Sequence, residues 1–554
     1  MNFLHQHNAG KAEHITRTAL LTAFVCTGLA GTVVSAAPSL QPPDAAVAGR
    51  LPAAQPGIQN TAPQSGLPET DVSFTLKELR IDTEGLALDD KALQHIAARY
   101  TGHSIRQADL NGAAAAVTQY CRTHGYPAAA AYLPVQDGKD GRLTMKLIPG
   151  RYGRIRIDNQ SQLHTAAVEA LSHGLKSDAV IRTRPLETVL YNISSLGGIQ
   201  AAGVLSPGTA VGSSDLTIRI RDGKRQSCIL YSENYGSTSS GRYRYGLQQT
   251  LSNLDHQGSQ LSISGLISNH DLRNYSLGWD MLAGHSGTRI GISVSRMNYE
   301  LGGIFQRLGM EGRADTVSLY GTTPLWRTTD SSLAVSYGYD YRSLDDDLAG
   351  ISAKKHSHAL RLGLNGFERQ GKGSLGYSMA VYTGTLGDDS DRARLLNTIS
   401  DTAGRYTKGT ADLNYIQAFD NRWDLMVKAQ LQKASRNIDS SEEIFLGGAS
   451  GVRAYPQGEG SGDEGWDGTA ELRYRTGLPG LTLSTYLDGG HVNLTRDGST
   501  GGETLKGWGI GVTYSQPGRW FARFDYARRI GGDARLSDEA QSRSRMWFIL
   551  GRIF

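Results

Sequence analysis

From residue 226 to the C-terminus the sequence is a succession of short alternating runs with no helical pattern between them. Apolar and polar residues change places at each step over about ten residues. That is the length and period of a strand that crosses a bilayer with one face in lipid. Sixteen such runs are counted, from 226–235 to 545–554. Their connections have a parity. Every second one is short (327–330, 368–372, 420–422, 477–480 and 516–519), and others are long (344–357, 383–405, 434–467 and 530–544). Short turns on one side of a membrane and long loops on the other are the pattern of outer-membrane barrels, and an even strand number suits them. Lipid offers the backbone no hydrogen-bond partner, so a sheet that spans it has to close. The expected fold class is therefore a transmembrane β-barrel of sixteen antiparallel strands. Its lumen would be wide enough for a water-filled channel and would need a filling at rest.

The rest of the chain agrees. There are 68 glycines in 554 residues, and 25 tyrosines against 11 phenylalanines and 7 tryptophans. No stretch after the N-terminus approaches the roughly 18 apolar residues of a spanning helix, which excludes a polytopic helical protein. A net charge of +4 with no block of five or six like charges argues against a nucleic-acid partner.

The N-terminus has the form of an export signal: a basic segment ending at Arg17, an apolar run over 18–34, then Ser35-Ala36-Ala37. Cleavage is expected after Ala36 or Ala37, with a short membrane anchor as the alternative. Cys26 lies inside the apolar run behind Phe24 and Val25, which are too bulky for a lipoprotein site. Residues 37–70 are rich in Ala, Pro, Gln and Gly, the composition of a linker with at most a marginal helix at 44–51.

Between linker and barrel one pattern occurs twice. A strand at 74–81, helices at 89–100 and 107–124, and strands at 128–133 and 142–148 are followed by the same β-α-α-β-β order over 152–220. Such a repeat marks two like modules. The chain is thus divided into a signal peptide (1–36), a linker or plug segment (37–70), two small α+β domains (71–149 and 150–223) and the barrel (224–554). Neither module has a paired carboxylate or a Ser/His arrangement, so both read as binding modules.

Catalytic signals are weak. Gly366-Phe-Glu-Arg-Gln-Gly371-Lys372-Gly373 approaches a phosphate loop but lacks the Ser/Thr and the following helix, and reads as a turn between strands. No Gly-x-Ser-x-Gly or His-Glu-x-x-His occurs, and the 14 histidines are scattered. The three cysteines have neither disulfide-scaffold nor zinc-ligand spacing, and Cys121 on a helix face reads as a buried thiol. No enzyme activity, cofactor or metal is expected; a barrel hydrolase with a Ser/His pair on its outer wall is the enzymatic alternative.

Several motifs then carry a resemblance. Gly125-Tyr126, Ala131-Tyr132-Leu133-Pro134-Val135-Gln136 and Ile148-Pro149-Gly150-Arg151 resemble the polypeptide-transport-associated (POTRA) domain of two-partner secretion transporters. That family includes the haemolysin-activator and filamentous-haemagglutinin transporters. Phe445 to Tyr455, with Val452-Arg453-Ala454-Tyr455, resembles the family's signature loop, where the third position is usually Gly. The resemblance implies that this loop folds back into the barrel and that its Arg453 meets an acid on the wall, here Asp488. Gly458, Gly460, Gly462 and Gly465 supply backbone freedom for that path. Phe554, with Leu550, Phe548 and Met546 at alternate positions, resembles the C-terminal signature of outer-membrane barrels, interrupted by Arg552.

The function so implied is export of a large β-rich exoprotein (adhesin, haemolysin or contact-dependent toxin) across the outer membrane, with the POTRA domains in the periplasm. The implied partners are the exoprotein's N-terminal secretion domain, outer-membrane lipid and, during biogenesis, the barrel assembly machinery. Two alternatives share the barrel: an assembly factor that inserts other barrels, and a passive porin.

Overall fold

The computed structural model describes residues 58–60, 73–137, 139–302, 306, 309–496, 498, 501–531 and 542–554. The expected signal peptide, the helix at 44–51 and all of the 37–70 linker except 58–60 lie outside them.

The first element, β1 (Ile58–Asn60), pairs in parallel with Gly203, Val204 and Leu205 of the second module. In the first module β2 (Ser73–Thr75) and β3 (Glu78–Asp82) replace the single expected strand. The chain breaks between them where Lys77 N and Glu78 N both donate to Gly141 O. α1 (Asp90–Ala98) begins at Asp89, whose side chain accepts from Lys91 N and satisfies a donor that the helix leaves free. β4 (Ser104–Arg106), α2 (Gln107–Thr123), β5 (Ala130–Tyr132) and β6 (Arg142–Ile148) follow. Leu110, Val117 and Cys121 lie on the buried face of α2, against Leu93 and Ala97 of α1.

The second module repeats the plan with β7 (Arg151–Gln160), α3 (Thr165–Ser172), α4 (Thr183–Ser194), β8 (Ile199–Pro207) and β9 (Ser213–Asp222). In the first module β3 runs parallel to β6 and β5 antiparallel to it, and in the second β7 runs parallel to β9 and β8 antiparallel to it. Each module has its own apolar core.

The barrel is one closed sheet of sixteen antiparallel strands, the expected number. It begins with β10 (Gln226–Glu233), β11 (Arg244–Ser252), β12 (Gln260–Ser268), β13 (Arg273–Ala283) and β14 (Thr288–Glu300). It continues through β15 (Met310–Arg327), β16 (Ser331–Leu348), β17 (Ile351–Gln370), β18 (Gly373–Asp388), β19 (Gly404–Ala418) and β20 (Trp423–Ala434). A two-strand hairpin of β21 (Ile444–Phe445) and β22 (Ser461–Gly462) then forms apart from the wall. The sheet resumes with β23 (Glu464–Arg475), β24 (Leu481–Asn493), β25 (Gly502–Gln516), β26 (Trp520–Arg529) and β27 (Ser544–Ile553).

Side chains alternate as a lipid-facing wall demands. On β17, Leu360 and Leu362 are 58 % and 63 % exposed, whereas Ala359 and Arg361 between and beside them are 3 % and 6 % exposed. Two expected loops are not loops. Residues 344–348 and 351–357 continue β16 and β17 to 18 and 20 residues, well past the about 9–11 that cross a bilayer. They turn at Ala349 and Gly350, both at positive φ. Within 383–405 lies α5 (Asp391–Ser400), started by the Ser390 hydroxyl accepting from Ala393 N.

Phe554 takes part in closure, since its N–H donates to Cys228 O (2.9 Å) beside the β10–β27 pairing. Arg552 does not break the outer face: its guanidinium lies over the rings of Trp520 and Phe554, at 5.1 and 4.6 Å. The near phosphate loop is a hairpin turn, with Gln370 paired to Gly373 and Gly371 at φ +57°.

The second module sits at the end of the barrel that bears the short turns. Thr329 N and its hydroxyl donate to Glu187 of α4, Arg327 N donates to the Thr188 hydroxyl, and Asn192 Nδ2 donates to Ser286 O.

Candidate functional site

The POTRA motif residues hold the first module together and join it to the second. Gly125 ends α2 at φ +96°, and its carbonyl accepts from Thr183 N at the start of α4 (2.9 Å). Tyr126 is buried and accepts from Ala87 N through its hydroxyl. Gln136 lies beyond β5 and uses its side-chain amide as a strand would: Nε2 donates to Thr144 O (2.8 Å) and Oε1 accepts from Thr144 N (2.7 Å). Pro134 O takes a weaker bond from the same amide. Gly150 adopts φ +71°, and a β-carbon there would come within 2.5 Å of Ala128 O. Its carbonyl accepts from Ile181 N. The Gly125 carbonyl therefore joins the two modules by a backbone bond, and Gly150, first residue of the second, permits the close approach to Ala128 of the first.

The loop between β20 and β23 lies inside the barrel. Its tip is a tight structure in which Val452 N donates to Leu446 O and Tyr455 N to Val452 O. Val452, Ala454 and Tyr455 are buried among Tyr486, Val492, Leu505 and Ala527, side chains that the strands turn inward. Gly447 N and Leu446 N donate to Glu459 O and Gly460 O, which closes the loop on itself. Gly458 and Gly460 take positive φ there, whereas Gly462 and Gly465 do not.

Arg453 is 5 % exposed. Its Nε and Nη2 donate to the two oxygens of Asp488 (2.9 and 2.7 Å), and its own N–H donates to Asp488 as well (3.1 Å). A planar fork against a carboxylate is the strongest geometry for such a pair. The structure brings in more than the expected partner. Nη1 reaches Glu471 (3.1 Å) and Asp525 (3.4 Å), the ring of Tyr486 lies 3.2 Å below the guanidinium, and Trp547 Nε1 donates to Arg453 O (2.7 Å). Arg523 balances the acids, with bonds to Glu471 and Asp525. Arg529 Nε donates to Ala454 O and its guanidinium stacks over Tyr455.

Ala454, where the resemblance led one to expect Gly, fits because of what faces it. A β-carbon on Gly507 of β25 would stand 2.7 Å from Ala454 Cβ. The space that a Gly in the loop would have provided is provided by a Gly in the wall.

Glu471, Asp525, Tyr486 and Trp547 were not identified from the sequence. The signal was there: each falls on the inward parity of its strand, and an acid in that register faces the lumen.

The loop's other contacts are at its base. Asp439 and Glu442, on a single helical turn at Ser440–Glu442, meet Arg342 of β16, Lys355 of β17 and Lys408 of β19. The arrangement as a whole is a polar lumen occupied by the chain's own loop, with ionic contacts to the wall at two levels.

Residues 212–514 match the family described as haemolysin secretion/activation protein ShlB/FhaC/HecB, and residues 74–150 match the ShlB-type POTRA domain. The heme/hemopexin transporter protein HuxB of Haemophilus influenzae is 26 % identical over 488 residues, covering 85 % of this chain and 86 % of HuxB. The outer membrane transporter CdiB of Dickeya dadantii is 23 % identical over 472 residues, 81 % of each chain. In fold, the chain is similar to the solved CdiB from Escherichia coli, with a TM-score of 0.66 at 19 % identity over 89 % of this chain and 94 % of that one.

Proposed function

Because the chain belongs to the ShlB/FhaC/HecB haemolysin secretion/activation family, whose members export an exoprotein across the outer membrane, we propose that it conducts one large β-rich exoprotein, unfolded, through its own lumen. The two modules lie in the periplasm. They take up the exoprotein's N-terminal secretion domain there, as an extended strand added to a sheet edge or laid in a groove. The work is conduction, with no catalytic step. The observation that carries this reading is the occupied lumen: Arg453 holds a loop across the path that cargo would take, in a site where its charge is matched by carboxylates. A passive porin has no use for such a stopper, nor for two periplasmic modules of which the second is bonded to its short turns.

Deleting residues 73–222 tests the reading. The truncated barrel is expected to insert and to conduct ions but to export no cargo. Undiminished export would overturn the docking role. Loss of other outer-membrane proteins from cells lacking the chain would favour the assembly factor instead.

A further inference from the structure

The tip cluster accounts for residues 452–455 only. A second buried ion cluster, at the loop's base, is unused by that account. The Glu442 carboxylate is held from two strands: Arg342 Nη1 of β16 donates to Oε1 (2.6 Å), and from β19 Lys408 Nζ donates to Oε2 (2.5 Å) and the Tyr406 hydroxyl to Oε1 (3.2 Å). Its carbonyl accepts from Lys408 Nζ and from Gln432 Nε2 of β20. Asp439 binds Lys355 Nζ (2.7 Å), which Asp346 also approaches (3.6 Å), while Tyr299 OH donates to Asp346. The returning arm is tied in too, because Asp463 accepts from Ile438 N and from Arg496 N. Three cations face three acids, and Glu442, Asp439, Arg342, Lys355 and Lys408 are all under 10 % exposed.

The two clusters stand on different parts of the wall. The base is held by β16, β17, β19 and β20, and the tip by β23, β24, β26 and β27. Between them the chain is one closed hairpin: Ile444 and Phe445 pair with Gly462 and Ser461, Leu446 N and Gly447 N donate to Gly460 O and Glu459 O, and Val452 N donates to Leu446 O. Among the described residues no base contact involves 446–455, so the tip can leave its carboxylates without breaking one. A buried ion pair that loses one partner leaves an uncompensated charge, which fixes such a contact in place.

We infer that Asp439 and Glu442, with Arg342, Lys355 and Lys408, form a fixed pivot for the lumenal loop: the hairpin 444–462 swings about it when the channel opens, and the base stays seated. These are positioning residues. The inference rests on the export reading only for its second arm.

The test uses the full chain with Cys26, Cys121 and Cys228 replaced by Ala. Arg342→Cys and Glu442→Cys are combined, and the two thiols are joined by a short flexible bis-methanethiosulfonate reagent. Before joining, openings in planar lipid bilayers are expected to rise about tenfold or more, since the base has lost its charge pair. After joining, conductance is expected to return to the closed level, and cells treated with the reagent are expected to export cargo as the wild type does. Openings at the wild-type rate before joining would remove the base from loop positioning. A joined variant that is closed but cannot export, while the unmodified protein exports, would show that the base has to move. Where the double variant fails to assemble, Glu442→Gln keeps the shape and removes the charge, and the same conductance criterion decides. Conductance needs no cargo, so failure of the export reading leaves that arm standing.

Discussion

The methyl group of Ala454 lies where Gly507 has none, and a β-carbon on Gly507 would stand 2.7 Å from it. Loop and wall are thus complementary at one methyl. Gly507→Ala is expected to push the tip out of its seat at a cost of about 1–3 kcal/mol, the usual range for overpacking. Channel openings would rise. Gly507→Ala with Ala454→Gly restores the space and is expected to close the channel again. Openings unchanged in Gly507→Ala would show that the tip is not packed against β25.

The wall acids around Arg453 are expected to rank by geometry. Asp488 makes the paired contact at 2.7 and 2.9 Å, and Asp525 a single one at 3.4 Å. Asp488→Asn should therefore impair export more than Asp525→Asn. Arg453→Lys should restore only part, because an ammonium cannot fork. Secreted cargo per cell, normalised to inserted barrel, reads the order; Asp525→Asn worse than Asp488→Asn would contradict it.

Gly150 sits at φ +71° with Ala128 O where its side chain would be. Gly150→Val is expected to destabilise the junction of the two modules by about 1–3 kcal/mol, as strained backbone does. Thermal unfolding of the fragment 73–222 gives the measurement, with Gly174→Val as the control, since nothing lies within 4 Å of a β-carbon there.

Burial raises the Cys121 thiol to about 11. Since a thiol is unreactive until it ionises, roughly one in a thousand is thiolate at pH 8. In the fragment 73–222, whose single cysteine it is, labelling by a thiol reagent at pH 8 is expected to be slow while folded and fast in denaturant. The thiolate gain with pH comes only near the raised value, so folded and denatured rates converge toward pH 11. Equal rates at pH 8 would contradict the buried placement.

Much of this was legible before any coordinates. The sixteen strands announce themselves because lipid forces an apolar residue at every second position, as Leu360, Leu362 and Leu364 show. The signal stops where the lipid stops. Residues 344–348 and 351–357 extend strands past the lipid, where the outer face no longer has to be apolar and the inner one carries Lys355 as well as Leu344, and they read as loop. α5 is only ten residues long, and its one apolar pair on that face, Leu395 and Ile399, is exposed rather than packed, too short a stripe to stand out from a loop. Arg453 and Asp488 came from a motif. Glu471, Asp525 and the base pair Glu442–Arg342 are joined only through barrel closure, which brings residues 18, 72 and 100 positions apart together. Gly507 could not be foreseen without its neighbour, because the meaning of a small residue in a wall depends on what packs on it.

Tags distinguish the two ends of the barrel. One inserted at Gly350, in the turn between β16 and β17, is expected to be reached by antibody on intact cells, and one at Gly371 only after permeabilisation. Ser461 is buried in the lumen, so a tag there is expected to disturb the loop rather than report a surface. Surface labelling at Gly371 would invert the topology.

The central claim is that Arg453, seated on Asp488, keeps the lumen shut. Single-channel recording of Arg453→Ala, Asp488→Ala and the double variant in planar bilayers tests it most directly. Breaking a buried charge pair costs about 3–5 kcal/mol, so Arg453→Ala is predicted to open frequently. Asp488→Ala opens less often, because Glu471 and Asp525 still hold the guanidinium. The double variant is predicted to be little worse than Arg453→Ala alone, as expected of coupled residues. A closed trace from Arg453→Ala, or effects that add in full, would contradict the account.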